Sequence, residues 1–227
     1  MDLKLSVIMP VFNERSTLDE IVERVLAVPI CHELVIVDDG STDGSRDLLA
    51  RMDGHRIKRV YHDTNQGKGA AIRTGLQHVS GDVVIIQDAD LEYDPQDYDV
   101  LLAPLEEGIA DAVYGSRFEG AHRVLFFWQY AANRFLTSLT NLLYNVKLTD
   151  METCYKAIRA SFVKEIPLRS NRFDIEAEIT AKLLKRGARL CEVPINYVGR
   201  TYQEGKKIGW RDGIQAIWTL IRYRFTD

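Results

Sequence analysis

The chain has few cysteines. Cys31, Cys154 and Cys191 are odd in number, far apart and in no metal or redox spacing. That excludes a disulfide framework and a thiolate metal site, and reads as reduced thiols in a cytosolic setting. No run approaches the ~18–20 consecutive apolar residues that cross a bilayer. Residues 1 to 9 lack the basic start and long apolar core of a signal peptide. A cytoplasmic protein is therefore expected, soluble or peripheral on the cytoplasmic face of a membrane. Positive charge is not in excess: the net charge of −4 gives no footing for bulk nucleic-acid binding. Internal repeats and low-complexity segments are absent as well. What remains is 227 residues, 46% apolar and 27% charged, the composition of a folded globular chain.

Apolar runs and helical periodicities alternate through the first half. Leu3 to Val11, Glu33 to Val37, Arg56 to Tyr61, Asp82 to Gln87 and Asp111 to Gly115 read as strands. Between them, Leu18, Ile21, Val22 and Val25 have helical spacing behind a Ser16 cap, and a helix capped by Ser41 or Thr42 carries Leu48 and Leu49. Further helices run from the 65–69 segment through Ile72 and Leu76 to near Gly81, and from Pro95 to Glu107. The second half predicts a long helix over 126–144, a short strand over 154–158, a helix within 170–187, an edge strand over 190–198 holding Pro194, and an amphipathic helix over 210–225. Strands alternating with helices predict an α/β fold with a mostly parallel sheet flanked by helices. Ligands of such sheets sit beyond the carboxyl ends of the strands. Asn13-Glu14, Asp38-Asp39, Asp88 to Asp90 and Ser116-Arg117 each follow a strand, so they converge on one rim.

Asp88 and Asp90 carry the sharpest chemistry. They close an apolar strand at positions i and i+2, which places both carboxylates on one side if the backbone stays extended. Two anions so close repel unless a cation lies between them. A divalent ion answers this, and oxygen ligands favour Mg²⁺ or Mn²⁺, with phosphates and water completing the shell. Glu92 is a candidate third ligand. Arg134 and Ser138, one turn apart, share a face of the long helix and suit an anionic group. Arg117, Arg200 and Lys206 are further candidate cations, the last two in a glycine-containing segment that reads as a cover over the site. Asp150 is a candidate base or positioning carboxylate. Glu152, Asp174 and Glu176 are weaker candidates, the last two explained more simply as acids at a helix start.

Five motifs occur in this order: Pro10 to Glu14, Val37 to Ser41, Gly67 to Ala71, Asp88-Ala89-Asp90 and Gly115 to Arg117. Together they resemble family 2 glycosyltransferases of the GT-A fold. Thr149-Asp150, Glu192 to Ile195 and Arg200 to Lys206 narrow the likeness to the dolichol- or polyprenyl-phosphate mannosyl- and glucosyltransferases. The resemblance implies one GT-A domain with a nucleotide-sugar half, 1–117, and an acceptor half, 118–227. It implies that Pro10, Phe12, Glu14 and Val37 line a base and ribose pocket, that Asp38 and Asp39 accept hydrogen bonds there, and that Lys68 packs beside it. Asp88, Ala89 and Asp90 would hold the metal and the donor diphosphate, Arg200 and Lys206 the leaving group, and Arg117, Arg134 and Ser138 the lipid phosphate, with Asp90, Arg117 and Asp150 the catalytic set. The implied reaction is inverting transfer of mannose or glucose from a GDP- or UDP-linked donor to a polyprenyl phosphate. The helices around Phe126-Phe127-Trp128 and Ile214 to Phe225 have the Leu, Trp, Tyr and Arg to rest on a membrane surface, or else pack against the sheet or a partner chain. Two other readings are a related transferase acting on a saccharide or protein hydroxyl, and a nucleotide-sugar-binding module without turnover.

Overall fold

The computed structural model describes residues 3–119, 127–200 and 209–226. Among them, seven strands form one sheet in the order β3-β2-β1-β4-β6-β5-β7. The strands are β1 Leu5–Val11, β2 Cys31–Asp38, β3 Ile57–Tyr61, β4 Val83–Ile86, β5 Ala112–Ser116, β6 Lys156–Arg159 and β7 Leu190–Pro194. β1, β2 and β4 are near-continuous apolar runs because helices cover both of their faces, as in buried parallel sheets. The core is continuous across them, from Val7, Ile36 and Ile85 to Val113 and Ile179. β3 and β7 are the two edges. Pro194 ends β7, where its missing N–H costs no ladder bond.

All neighbouring strands run parallel except at β6, which pairs antiparallel with β4 (Val84 opposite Ile158) and with β5 (Val113 opposite Ala157). That reversal matters for the site. The segment that leads into β6 arrives at the same rim that the parallel strands leave, so residues 149–154 join the carboxyl ends of β1, β2, β4 and β5.

Helices α1 Leu18–Ala27, α2 Ser45–Arg51, α3 Lys68–Leu76 and α4 Tyr98–Glu106 connect the first strands, α4 being preceded by a 3-10 turn over Pro95–Asp97. Then follow α5 Phe127–Tyr144, α6 Ala160–Glu165, α7 Ile175–Lys185 and α8 Trp210–Phe225. Element types match the sequence expectation, but caps do not. Thr17 rather than Ser16 precedes α1, and its hydroxyl donates to the Ala89 carbonyl (2.6 Å), tying that helix to the Asp88–Asp90 turn. Gly44, at φ 94°, starts α2, while the Ser41 hydroxyl accepts from the Asn13 N–H (3.0 Å). The sequence reading misses α6, which is too short for a periodicity and buries only Ala160 and Val163. At the start of α3, a Cβ on Gly69 would lie 2.5 Å from the Ser170 carbonyl oxygen, so only glycine lets this turn pack against the 170–172 segment.

Candidate active site

A cleft of about 960 Å³ opens at the carboxyl rim. Its floor is polar and comes from the loops after β1, β2, β4 and β5 and from the segment before β6. One wall is apolar and comes from α5 and α8: Trp128, Phe135, Leu136, Trp210, Ile214 and Ile217.

The acids at its centre are set by a turn. β4 stops at Ile86, and Ala89 and Asp90 lie in a turn rather than extended backbone. Asp88 and Asp90 still both line the cleft, but strand alternation is not what puts them there. Gln87 holds the turn: the Tyr98 and Tyr155 hydroxyls donate to its Oε1 (2.7 and 2.6 Å), and its Nε2 donates to the Asp88 carbonyl (3.0 Å). Leu91 then takes φ 63°, rare for a branched side chain. This swings Glu92 aside, where it accepts from the Tyr197 hydroxyl (2.8 Å) and the Arg200 N–H (2.6 Å). The third carboxylate of the expected metal set is therefore committed elsewhere.

Cations flank the remaining pair. Lys68 Nζ lies 2.8 Å from Asp88 and 3.4 Å from Glu176. The Arg200 guanidinium reaches Asp90 (2.9 Å) and both Glu14 oxygens (3.2 Å each). Asp90 nonetheless has its pKa pushed up to about 7, first by burial and then by the charges of Asp88 and Glu92, against the opposing pull of Arg200. Lys206, expected beside Arg200, lies outside the described residues.

Arg117 lines the cleft and is held from behind. Its Nε and Nη2 donate to the two oxygens of Asp150 (2.7 and 2.8 Å), and its backbone N–H donates to Asp150 as well (3.1 Å). Its guanidinium lies 5.3 Å from the centre of the Tyr197 ring. Asp150 is fully buried and is not among the residues lining the cleft; of the two roles expected for it, base or positioning carboxylate, its three hydrogen bonds from Arg117 fit the second. Glu192 of β7 in turn accepts the Thr149 and Asp150 N–H groups (2.7 and 3.0 Å), fixing that loop. Arg134 and Ser138 do share a helix face, but not the one that meets the cleft. Arg134 is exposed and donates to the Thr149 carbonyl (3.3 Å), and the Ser138 hydroxyl donates back to the Arg134 carbonyl (2.7 Å). Gln129, Ala132, Asn133 and Leu136 line the cleft from the side of α5 that, at ~100° per residue, is roughly opposite Arg134 and Ser138.

Of the expected nucleotide residues, Pro10, Phe12, Glu14, Asp39, Lys68, Ala89 and Arg200 line the cleft. Val37 and Asp38 do not. Both are fully buried in β2, and Asp38 accepts from Arg46 Nε (2.7 Å). Asp39 accepts from His62 Nδ1 (2.7 Å) and from the Gln66 and Gly67 N–H groups (2.9 and 2.8 Å), so it shapes the 65–67 loop of the cleft wall. Sequence reasoning passed over Asn65, Gln66, Gln129, Asn133 and Tyr197, and ranked Glu152 and Glu176 low. The helical spacing of 129, 132, 133 and 136 was a readable signal for two of these. The importance of Glu152 depends on β6 running backward, which no local pattern announces.

A divalent ion fits this donor set. Among the described residues lining the cleft, eight are carboxylates and four are Lys or Arg. Such a surface repels a diphosphate unless a cation mediates. Among the described residues no group of three or more His, Cys, Asp or Glu is arranged to hold a metal by itself. Two carboxylates suit Mg²⁺ or Mn²⁺, which take one or two from the protein and the remainder from phosphate and water.

Comparison with known proteins agrees with this architecture. The sequence model described as Glycosyl transferase family 2 matches residues 6–167. The undecaprenyl-phosphate 4-deoxy-4-formamido-L-arabinose transferase of Edwardsiella ictaluri is 30% identical over 211 residues. That of Salmonella paratyphi A is 30% identical over 213 residues. In both cases the match covers 89% of this chain and 62% of the relative, so the chain spans less than two thirds of their length. Among solved structures, glucosyl-3-phosphoglycerate synthase of Mycobacterium tuberculosis with Mn²⁺, UDP and glucosyl-3-phosphoglycerate superposes with a TM-score of 0.74. The superposition is at 20% identity and covers 99% of this chain and 81% of that one. The same enzyme with Mg²⁺ and UDP gives 0.71. At that identity the likeness is one of fold, the GT-A fold.

Proposed function

The chain belongs to glycosyl transferase family 2, and from that premise we propose that it transfers a hexose from a nucleotide sugar to a polyprenyl phosphate at this cleft. The observation that carries the reading is the cleft's two-sided chemistry. An acidic floor suited to a metal-bound diphosphate faces an apolar wall from α5 and α8. That wall continues outward into exposed Phe127, Trp128, Trp210, Trp218 and Phe225. A soluble sugar acceptor has no use for such a surface. A lipid phosphate uses both sides at once, and the relatives named above are transferases of undecaprenyl phosphate. Among the described residues no helix is long and apolar enough to cross a membrane. The α5–α8 face is therefore proposed to rest on the bilayer surface, with Arg211, Arg222 and Arg224 at headgroup level.

In this reading the 1–117 half holds the donor, with Pro10, Phe12, Glu14 and the 65–67 loop around base and ribose. The 118–227 half holds the acceptor. Asp88 and Asp90 would hold Mg²⁺ or Mn²⁺, which would supply charge to offset that on the leaving diphosphate. Arg117, stiffened by Asp150, meets the acceptor phosphate with its remaining edge. Arg200 gives up Asp90 and Glu14 and turns to the phosphates. A phosphate oxygen forms a bond to the anomeric carbon as the bond from that carbon to the donor diphosphate breaks, with inversion. The acceptor is already ionised near neutral pH, so no base has to remove a proton.

The test is transfer from UDP- and GDP-hexoses to undecaprenyl phosphate, with Mn²⁺ or Mg²⁺ and product detection by mass spectrometry. A glycosyl-phosphoryl lipid is expected, lost in chelator and in Asp90→Ala. Transfer to free saccharides but not to the lipid would replace this reading with the hydroxyl-acceptor one. Binding of nucleotide sugar without any product would leave a binding module.

A further inference from the structure

Glu152 stands apart from the other cleft acids, with Glu176 beside it. Glu14, Asp88, Asp90 and Glu92 each have an Arg or Lys partner. Glu152 Oε1 and Glu176 Oε1 are buried from solvent and accept no hydrogen bond from any described residue. Both residues line the cleft. Glu176, 5% exposed, gives its other oxygen to Lys156 Nζ at 2.6 Å, and Lys68 Nζ is 3.4 Å from the unbonded one. Two cations act on Glu152 from nearby, and both are already committed. Lys156 donates to Glu176 and to the Thr153 carbonyl, and the Arg117 fork closes on Asp150. Glu176 and Asp150 add negative charge beside it. The folded chain thus keeps Glu152 Oε1 out of water with neither donor nor cation on it, an arrangement that costs stability and that a ligand's donors would relieve.

Position identifies the donor. Lys68 Nζ touches Asp88 on one side and Glu176 on the other, so one ammonium group separates this pair from the acids assigned to the metal and diphosphate. The next part of a nucleotide sugar beyond its diphosphate is the sugar, whose outward-facing groups are hydroxyls. We infer that Glu152, with Glu176 beside it, is the specificity-determining residue for the donor sugar, accepting hydrogen bonds from its ring hydroxyls. This rests on the nucleotide-sugar reading above. A site built to accept from a hydroxyl discriminates against a sugar that lacks it or points it elsewhere, because the buried carboxylate is then left unpaired.

The experiment is calorimetric binding with Mn²⁺ on the wild type and on Glu152→Gln and Glu152→Ala. The ligands are UDP, GDP, UDP-glucose, UDP-galactose, UDP-xylose and GDP-mannose. The tightest nucleotide sugar is expected to weaken roughly 10-fold in Glu152→Gln and up to about 100-fold in Glu152→Ala. The bare diphosphate is expected to keep its wild-type affinity, and the preference among epimeric sugars to collapse. Unchanged sugar affinity and preference, or equal loss for the bare diphosphate, overturns the inference while leaving the nucleotide-sugar reading intact. A kcat lowered alike for every donor, with loss of its acid limb, also overturns it by making Glu152 a general base. If the wild type binds no ligand of the panel, the nucleotide-sugar reading itself fails and the inference with it.

Discussion

Replacing Asp150 by Ala tests the most tightly specified contact of the site. Asp150 is fully buried and accepts three hydrogen bonds from Arg117, two in a fork and one from the backbone. The Arg117 side chain is itself 11% exposed. Removing the carboxylate strands a guanidinium in a nearly dry place, a loss of about 3–5 kcal/mol, most of it the penalty on the unpaired charge. For a chain of this size each kcal/mol moves the melting temperature by about 2–4 °C, so Asp150→Ala should melt roughly 6–20 °C below wild type. The double variant Arg117→Met with Asp150→Leu leaves no buried charge and should recover most of that loss. Kinetics separate anchor from base. If Asp150 anchors Arg117, Asp150→Asn raises the acceptor KM and leaves the shape of the pH–rate profile alone. If it is a base, an acid limb disappears. Melting of Asp150→Ala within about 2 °C of wild type, or a double variant as unstable as both singles combined, refutes the reasoning.

Burial, aided by Glu176 and Asp150 and opposed by Lys156 and Arg117, lifts the Glu152 pKa from 4.5 to about 7. The folded chain therefore holds that proton more tightly than the unfolded one. The group adds no penalty below pH 4.5, and its penalty grows as pH rises to 7, reaching roughly 3 kcal/mol. Glu152→Gln should remove that slope, so urea midpoints measured from pH 4.5 to 7.5 should fall less with pH than in wild type; parallel curves would contradict the assignment. The proposed bilayer face predicts that Trp128→Glu with Trp218→Glu cuts co-sedimentation with anionic phosphatidylglycerol vesicles by about tenfold while the melting temperature holds, since both indoles are more than half exposed; undiminished sedimentation would remove the membrane from the account.

The fold was legible where physics is local. Strand runs such as Val83 to Ile86 and helical spacings such as Leu18, Ile21, Val22 and Val25 need no distant information, and both elements form as expected. Convergence of the acidic loops on one rim followed from the parallel sheet. What the sequence hid is mostly orientation. Asp88 and Asp90 look like alternating strand residues, but Gln87, clasped by Tyr98 and Tyr155 from distant segments, sets a turn there. Arg134 draws attention as a cation in an apolar helix, yet the helix is rotated by its packing against α8 and presents Gln129 and Asn133 instead. Asp38 and Asp39 are adjacent and similar on paper. Strand alternation sends the first to Arg46 and the second to His62 and the 65–67 loop.

The state of the cleft acids also bears on which acceptor the cleft serves. A hydroxyl acceptor needs a carboxylate that faces the reacting atoms and is free to take a proton. Asp150 faces away, while Asp39 and Glu92 are spent on N–H and hydroxyl donors of the fold. Glu14 and Asp90 share Arg200, and Asp88 faces Lys68. Glu152 alone among these has an oxygen with neither a cation nor a donor on it. It lines the same cleft as Glu176. An acceptor that arrives ionised needs no base, and Arg117, held rigid from behind by Asp150, is a cation suited to it. A hydroxyl acceptor would have to give its proton to Glu152, and loss of an acid limb in Glu152→Gln would reveal that.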